Sequence, residues 1–252
     1  MRFLDRERIL NLAHRGASAV TPPNTLAAFE KAAELGADGV ELDVHLSADG
    51  VPVVIHDFTV DGTTDGTGRV DHLSLAELRE LDAGSSFDPM FRGERIPTLE
   101  QVLTTVGKHL LLNIELKTTS LWDNGLERTV VAQVEHHSLD DGRVLFSSFN
   151  HIALRRAKKI APHIPVGLLH APDLPLPLRQ LWLAPFVPHE ARHPKHTMVN
   201  TEYVTQAHRR GLLVNTWTVD EPDEMIRLID LGVDCIITNR PDVLRSIIET
   251  ST

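Results

Sequence analysis

Short apolar runs alternate with stretches of helical periodicity along the whole chain, and this rhythm constrains the fold more than any other feature. It is the signature of repeated βα units feeding one parallel sheet. Eight runs fit barrel strands, at 9–13, 39–44, 110–116, 144–148, 165–169, 186–187, 212–216 and 234–238. The segments between them carry helix start and stop chemistry. Asn24 is placed to cap a helix whose apolar face is Leu26, Phe29 and Ala33, with Gly36 as its left-handed stop. Ser74 with Glu77, and Thr98 with Gln101, have capping-box spacing, and Pro222 and Pro241 fall in first helical turns, where no amide hydrogen is missed. At 252 residues the chain matches the size of one (β/α)8 barrel, so a single TIM-barrel domain over 1–252 is expected.

One apolar run breaks the rhythm. Residues 51–56 follow the second strand across only Ser47-Ala48-Asp49-Gly50, whereas a parallel crossover needs a dozen or more residues. The run is therefore the return arm of a β-hairpin, which brings Asp43 and His56 roughly opposite each other. Residues 57–97, with the Gly-rich stretch 61–68 and a short helix at 74–83, are too long for a βα loop and read as a small insertion over the barrel mouth. The proline-rich segment 172–194 reads as a second surface excursion near the active face. Within it, His189-Glu190-Ala191-Arg192-His193 matches the HExxH zinc pattern, which requires a helix. Pro194 biases His193 away from helical backbone, so this stretch is expected to be a loop with solvent-facing histidines.

Composition excludes several classes. A 42% hydrophobic and 24% charged chain is an ordinary globule, and 25 Lys+Arg against 35 Asp+Glu gives a net charge of −10 with no basic stretch. Nucleic acid is therefore not an expected partner. Cys235, the only cysteine, permits no disulfide and no Cys-rich zinc site, so a reducing, cytoplasmic setting is expected. No run approaches the length of a membrane span, and the first eight residues lack an apolar leader core, so neither export nor a stable membrane anchor is expected.

Chemistry in such barrels sits where strands end. After the first strand comes His14-Arg15-Gly16; the second carries Glu41-Leu42-Asp43; the hairpin returns His56-Asp57; the third reads Asn113-Ile114-Glu115-Leu116-Lys117. By strand alternation Glu41 and Asp43 share one face, and Asn113, Glu115 and Lys117 share another. Three converging carboxylates repel unless a cation sits among them, and an all-oxygen set suits Mg2+ or Ca2+. Histidines on either side suit proton transfer near neutral pH, and Arg15 and Lys117 suit an anionic group. Metal, cations and paired acid/base residues together describe phosphodiester cleavage.

With these residues in this order, the chain resembles the glycerophosphodiester phosphodiesterase family. The resemblance rests on His14-Arg15-Gly16, Asn24-Thr25, Glu41-Leu42-Asp43-Val44, Asp49-Gly50, His56-Asp57, residues 63–68, Ile96-Pro97-Thr98-Leu99, Glu115-Leu116-Lys117, Ser148-Phe149 and Trp217-Thr218-Val219, in family order over nearly the whole chain. It implies a divalent metal and hydrolysis of small glycerophosphodiesters to an alcohol and glycerol phosphate. By the same resemblance His14 and His56 are the catalytic pair, and Glu41, Asp43 and Glu115 the metal ligands. Arg15 and Lys117 would hold the phosphate, with Trp217 at the glycerol side. The attacking group would be the glycerol hydroxyl, giving a cyclic phosphate that water opens. Ser148-Phe149 is left outside the site. Pro23, Gly62 and Asn239 depart from the usual Glu, Arg and Asp, and none is expected to touch the metal or acid/base set. The alternatives are a lysophospholipase D-like enzyme and a non-catalytic binding barrel.

Overall fold

A computed structural model describes residues 2–5, 8–139 and 141–250; Met1, Arg6, Glu7, Asp140, Ser251 and Thr252, part of the expected 1–252 domain, lie outside the described residues. In chain order the strands are β1 (Leu10–His14), β2 (Gly39–Leu46), β3 (Pro52–Val54), β4 (Leu111–Leu116), β5 (Val144–Ser148), β6 (Val166–His170), β7 (Ala191–Pro194), β8 (Leu213–Thr216) and β9 (Cys235–Thr238). The helices are α1 (Leu26–Glu34), α2 (Leu75–Glu80), α3 (Leu99–Thr105), α4 (Leu126–His136), α5 (His151–Ile160), α6 (Leu176–Arg179), α7 (Thr201–Arg209), α8 (Pro222–Asp230) and α9 (Pro241–Thr250). Pairing runs β1-β9-β8-β7-β6-β5-β4-β2 and closes through β1 with β2, which makes the TIM barrel. β3 stands outside the ring as the antiparallel partner of β2.

Strand alternation builds two cores at once. Val40, Leu42, Val44, Leu112, Ile114 and Phe146 point outward and pack with Phe29 of α1, Val102 of α3 and Val130 of α4. The other parity points inward, where Leu10, Leu12, Leu111, Leu145, Leu213 and Cys235 fill the lower barrel, with Phe3 packed among them. Higher up the same parity turns polar, at Glu41, Asp43, Asn113, Glu115, Ser147 and Asn215, all buried. The mouth chemistry is therefore a continuation of the core by the same geometric rule.

The expected strands coincide with the observed ones to within a residue or two, except the sixth. That strand is β7; residues 184–186 form a 3₁₀ turn, and Phe186 is 67% exposed. β7 reads Ala-Arg-His-Pro, and its inward residues, Ala191 and His193, are small or polar, so it carries no apolar signal. The same strand overturns the expected loop of solvent-facing histidines. His193 is completely buried in the barrel and His189 is half-buried. Extended backbone at 191–194 also removes the helical spacing on which an HExxH zinc site depends.

Two further local expectations are corrected. Helix α1 is capped by Thr25, whose hydroxyl accepts the Ala28 N–H at 3.2 Å; Asn24 precedes it in left-handed backbone at φ +61°. In the hairpin, Asp43 faces Ile55, whose N–H donates to Asp43 O at 3.0 Å, and His56 lies one residue beyond. The handover on β2's edge explains this register. β1 ends at His14, Arg15 N still donates to Glu41 O at 2.9 Å, and the next acceptor on that edge, Asp43 O, is taken by β3. The chain can turn away because Arg15 and Gly16 have φ of +56° and +81°. Gly16 must be glycine, since a β-carbon would lie 2.5 Å from the Ala28 backbone.

The capping boxes at Ser74–Glu77 and Thr98–Gln101 form, and Pro222 and Pro241 open α8 and α9. Residues 57–97 lie against the hairpin, with Val60, Val70, Leu78 and Ile96 packed on Val53 and Ile55. Among the described residues no helix is long and apolar enough to cross a membrane.

The barrel interior generates a prediction. Gly167 of β6 lies under His193, and a β-carbon there would overlap the imidazole. Gly167→Ala should cost about 1–3 kcal/mol, as overpacking does, and the Gly167→Ala/His193→Ala double variant should lose less than the sum of the two singles. Urea denaturation measures both quantities; a Gly167→Ala midpoint equal to that of the parent would show slack at this position.

Candidate active site

Parallel register brings the acids together. Glu41 is level with Asn113, and Asp43 with Glu115, across β2 and β4, all on the inward parity. Each of Glu41, Asp43 and Glu115 offers an oxygen within 4.8 Å of the others, and all three are buried. Burial, then repulsion from Asp43 and Glu115, pushes the Glu41 carboxyl well above the usual range. Burial also raises Glu115, to about 7, against the pull of Lys117. Asp43 goes the other way. Burial would raise it, but Lys117, Arg15, His56 and the Asn24 amide together hold it at about 2.

Those partners are specific. Lys117 Nζ stands 3.0 Å from Glu115 Oε1 and 3.4 Å from Asp43 Oδ1, and Arg15 Nε is 3.3 Å from Asp43 Oδ2. Asn24 Nδ2 donates to Asp43 Oδ2 at 2.9 Å. Asp43 Oδ1 is nevertheless left without a hydrogen bond. A buried set of three carboxylates with an unbonded oxygen fits a hard divalent cation, so the triad could hold a metal. Lys117, expected at the phosphate, has its ammonium between two of these carboxylates. Arg15 both approaches Asp43 and lines the cavity.

Both histidines face the same cavity, of about 90 Å³. His14 Nε2 lies 3.9 Å from Glu41 Oε2, and its Nδ1 is 2.7 Å from Asn239 Oδ1. Burial, helped by Arg15, lowers its pKa to about 4. His56 Nδ1 is 2.7 Å from Asp57 Oδ1. Its carbonyl accepts from His45 Nε2 at 3.1 Å, and the His45 ring meets Phe58 edge-on. His45 continues the Glu41, Asp43 parity along β2, a signal that was present in the alternation.

The far wall is apolar. Trp217 is held by a hydrogen bond from its Nε1 to His193 O at 2.8 Å, and Phe149 meets it edge-on with centroids 5.6 Å apart. Phe149, left out of the site on sequence, thus lines the cavity, whereas Ser148 donates to Leu116 O at 2.7 Å and acts in the strand junction. The three family departures are also nearer than expected. Asn239 touches His14 directly, a β-carbon on Gly62 would lie 3.0 Å from Asp57 Oδ2, and Pro23 lines the groove beside Arg15 and His56. For Asn239 and Pro23, loops from distant strands meet at the barrel mouth, and sequence separation hides this.

Comparison with known proteins fits this geometry. The sequence model of the Glycerophosphoryl diester phosphodiesterase family matches residues 14–243. A glycerophosphodiester phosphodiesterase of Caldanaerobacter subterraneus is 43% identical over 96% of this chain and 98% of its own length. Another, of Bacillus subtilis, is 34% identical over 97% and 88%. Among solved structures, an Oleispira antarctica phosphodiesterase in complex with the product sn-glycerol-3-phosphate superposes with a TM-score of 0.87, at 32% identity over 94% of this chain and 96% of that one. A glycerophosphodiester phosphodiesterase of Agrobacterium tumefaciens gives 0.80 at 30% identity over 94% and 99%. With its sequence matched almost from end to end and the barrel shared, the chain belongs to the glycerophosphoryl diester phosphodiesterase family.

Proposed function

We propose that this chain hydrolyses small glycerophosphodiesters to an alcohol and glycerol 3-phosphate, with Glu41, Asp43 and Glu115 holding one divalent cation, Mg2+ or Ca2+. The observation that carries the reading is the convergence of Glu41, Glu115, two histidines and Arg15 on one cavity, with Asp43 completing the buried triad within 4.8 Å of both acids. Bound there, the cation would supply positive charge against the phosphate oxygens that gain charge as the ester bond breaks. Arg15 binds the phosphate, and Trp217 with Phe149 forms the apolar wall for the glycerol carbons. Lys117 balances the charge of the triad from behind.

His14 and His56 divide the proton work, and their partners set the division. Burial lowers the pKa of His56, but the Asp57 carboxylate on Nδ1 works against that and the ring is more exposed than His14, so of the two it is the better placed to carry the proton to the leaving alcohol. His14 has an amide on Nδ1 and a bare edge toward Glu41, so it takes the proton of the attacking hydroxyl. Attack by the glycerol hydroxyl gives a cyclic phosphate that water opens with the two roles exchanged. Residues 57–97 act as a cover that sets headgroup preference, supported by Thr63, Ala83 and Ile96 lining the groove beside His56. Cys235, free and buried, fits a reducing cytoplasmic setting.

A coupled assay for glycerol 3-phosphate release tests the reading, with full turnover after exhaustive chelation as the result that ends it. In the same assay Glu41→Gln, Asp43→Asn and Glu115→Gln should each need far more cation or be inactive. His14→Ala and His56→Ala should each lower kcat by about 10²–10⁴-fold with KM largely kept. Near-normal kcat in both would make the histidines structural.

Cation affinity should also depend on pH. With Glu41 raised and Glu115 at about 7, the triad retains protons that a cation must displace. Affinity should therefore fall as pH drops below about 7 and rise above it, with proton release on binding. Calorimetric Ca2+ titrations in buffers of different ionisation enthalpy measure this directly; proton-neutral binding on the acid side would contradict it.

A further inference from the structure

Asn239 follows β9 at the barrel mouth and is held from one side by Asp220. Its backbone N–H donates to Asp220 Oδ1 at 2.8 Å, and its Nδ2 donates to Asp220 Oδ2 at 2.6 Å. Thr238 Oγ1 donates to the same carboxylate at 3.1 Å. A carboxylate at this site accepts only, so the NH₂ end of the Asn239 amide must face Asp220. Turned the other way, the amide oxygen would confront Asp220 and both would lose a hydrogen bond. The amide oxygen therefore points to the opposite side, where His14 Nδ1 stands 2.7 Å from Oδ1 and Ser18 Oγ also stands 2.7 Å from it.

The consequence passes to His14. An amide oxygen carries no hydrogen, so the proton of the pair must sit on His14 Nδ1, and in the neutral ring Nε2 is the bare nitrogen. Nε2 is the atom on the side of Glu41 and the cavity. The ring plane is set by the same short contact, because the His14 carbonyl is tied to Ser18 Oγ at 2.7 Å and the side chain has one bonded partner on its far edge. We propose that Asp220 and Asn239 form a positioning pair that fixes the tautomer and ring orientation of His14, with Asp220 orienting the amide and Asn239 orienting the imidazole. The inference rests on reading His14 as a proton-handling group, but its central claim concerns where one proton lies and is measurable without turnover.

The experiment is a ¹⁵N spectrum of the His14 ring in chelator-treated protein near neutral pH, assigned against His14→Gln. The expected signature is a protonated Nδ1 and a bare Nε2; the opposite tautomer in the unsubstituted protein overturns the proposal whatever the variants do. Asn239→Leu should mix the tautomers and lower kcat by about 10–100-fold with little change in KM, the usual worth of a group that orients a functional histidine. Asp220→Asn removes the acceptor that holds the amide and should mix the tautomers in the same way. Asn239→Asp alone sets two carboxylates against each other, whereas Asp220→Asn/Asn239→Asp restores a donor–acceptor pair and should recover both the signature and most of kcat. A folded Asn239→Leu protein with the parent spectrum and kcat would reduce the pair to a structural tie. If His14→Ala kept full activity while the tautomer signature held, the catalytic reading would fail and the positioning would stand.

Discussion

Repulsion among three carboxylates inside a barrel is the constraint from which the rest of the mouth follows. Glu41, Asp43 and Glu115 have to be buried, because the parity that places Leu111 and Leu145 in the core continues upward to them. Burial without compensation would leave them protonated, as the raised Glu41 and Glu115 show. Asp43 escapes because Lys117, Arg15 and Asn24 all converge on it. Each comes from a different segment: the end of β4, the turn after β1 and the residue before the α1 cap. The site is thus held by charge as much as by packing.

The same demand explains the irregular backbone around it. Arg15 reaches Asp43 because it occupies left-handed space, and Asn24 reaches it from a second left-handed position. The turn that permits this also takes β1 off the edge of β2, and β3 uses the vacated acceptor to deliver His56 to the mouth. The turn at Arg15 accordingly places a cation and a histidine, and the left-handed Asn24 adds an amide. Strain of this kind persists where surrounding contacts outweigh it, here the Glu41 carbonyl and the close packing of Gly16 on α1.

Much of this was legible in the residues. Strand alternation put Glu41 on one face with Asp43, and Glu115 on one face with Asn113, and hairpin length alone brought His56 near them. Capping chemistry located α2 and α3 correctly. The sequence is silent where a position answers to distant partners. β7 was missed because its inward residues are a small one and a polar one that packs over Gly167, so no apolar run marks it. Asn24 looked like a cap because Asn commonly is one, and only the position of Asp43 gives its amide another use.

Asn239 shows the division most clearly. Periodicity, turn chemistry and strand parity are short-range properties, carried by neighbours in the chain, and they determined the barrel, the hairpin and the acidic face without reference to three dimensions. Contacts between His14 and Asn239, or Trp217 and Phe149, join loops far apart in sequence. Their partners become neighbours only when β1 closes against β9 and all the βα turns meet at one end. Which atoms then come within hydrogen-bonding distance depends on strand register and tilt around the whole ring, and no local stretch of sequence carries that information.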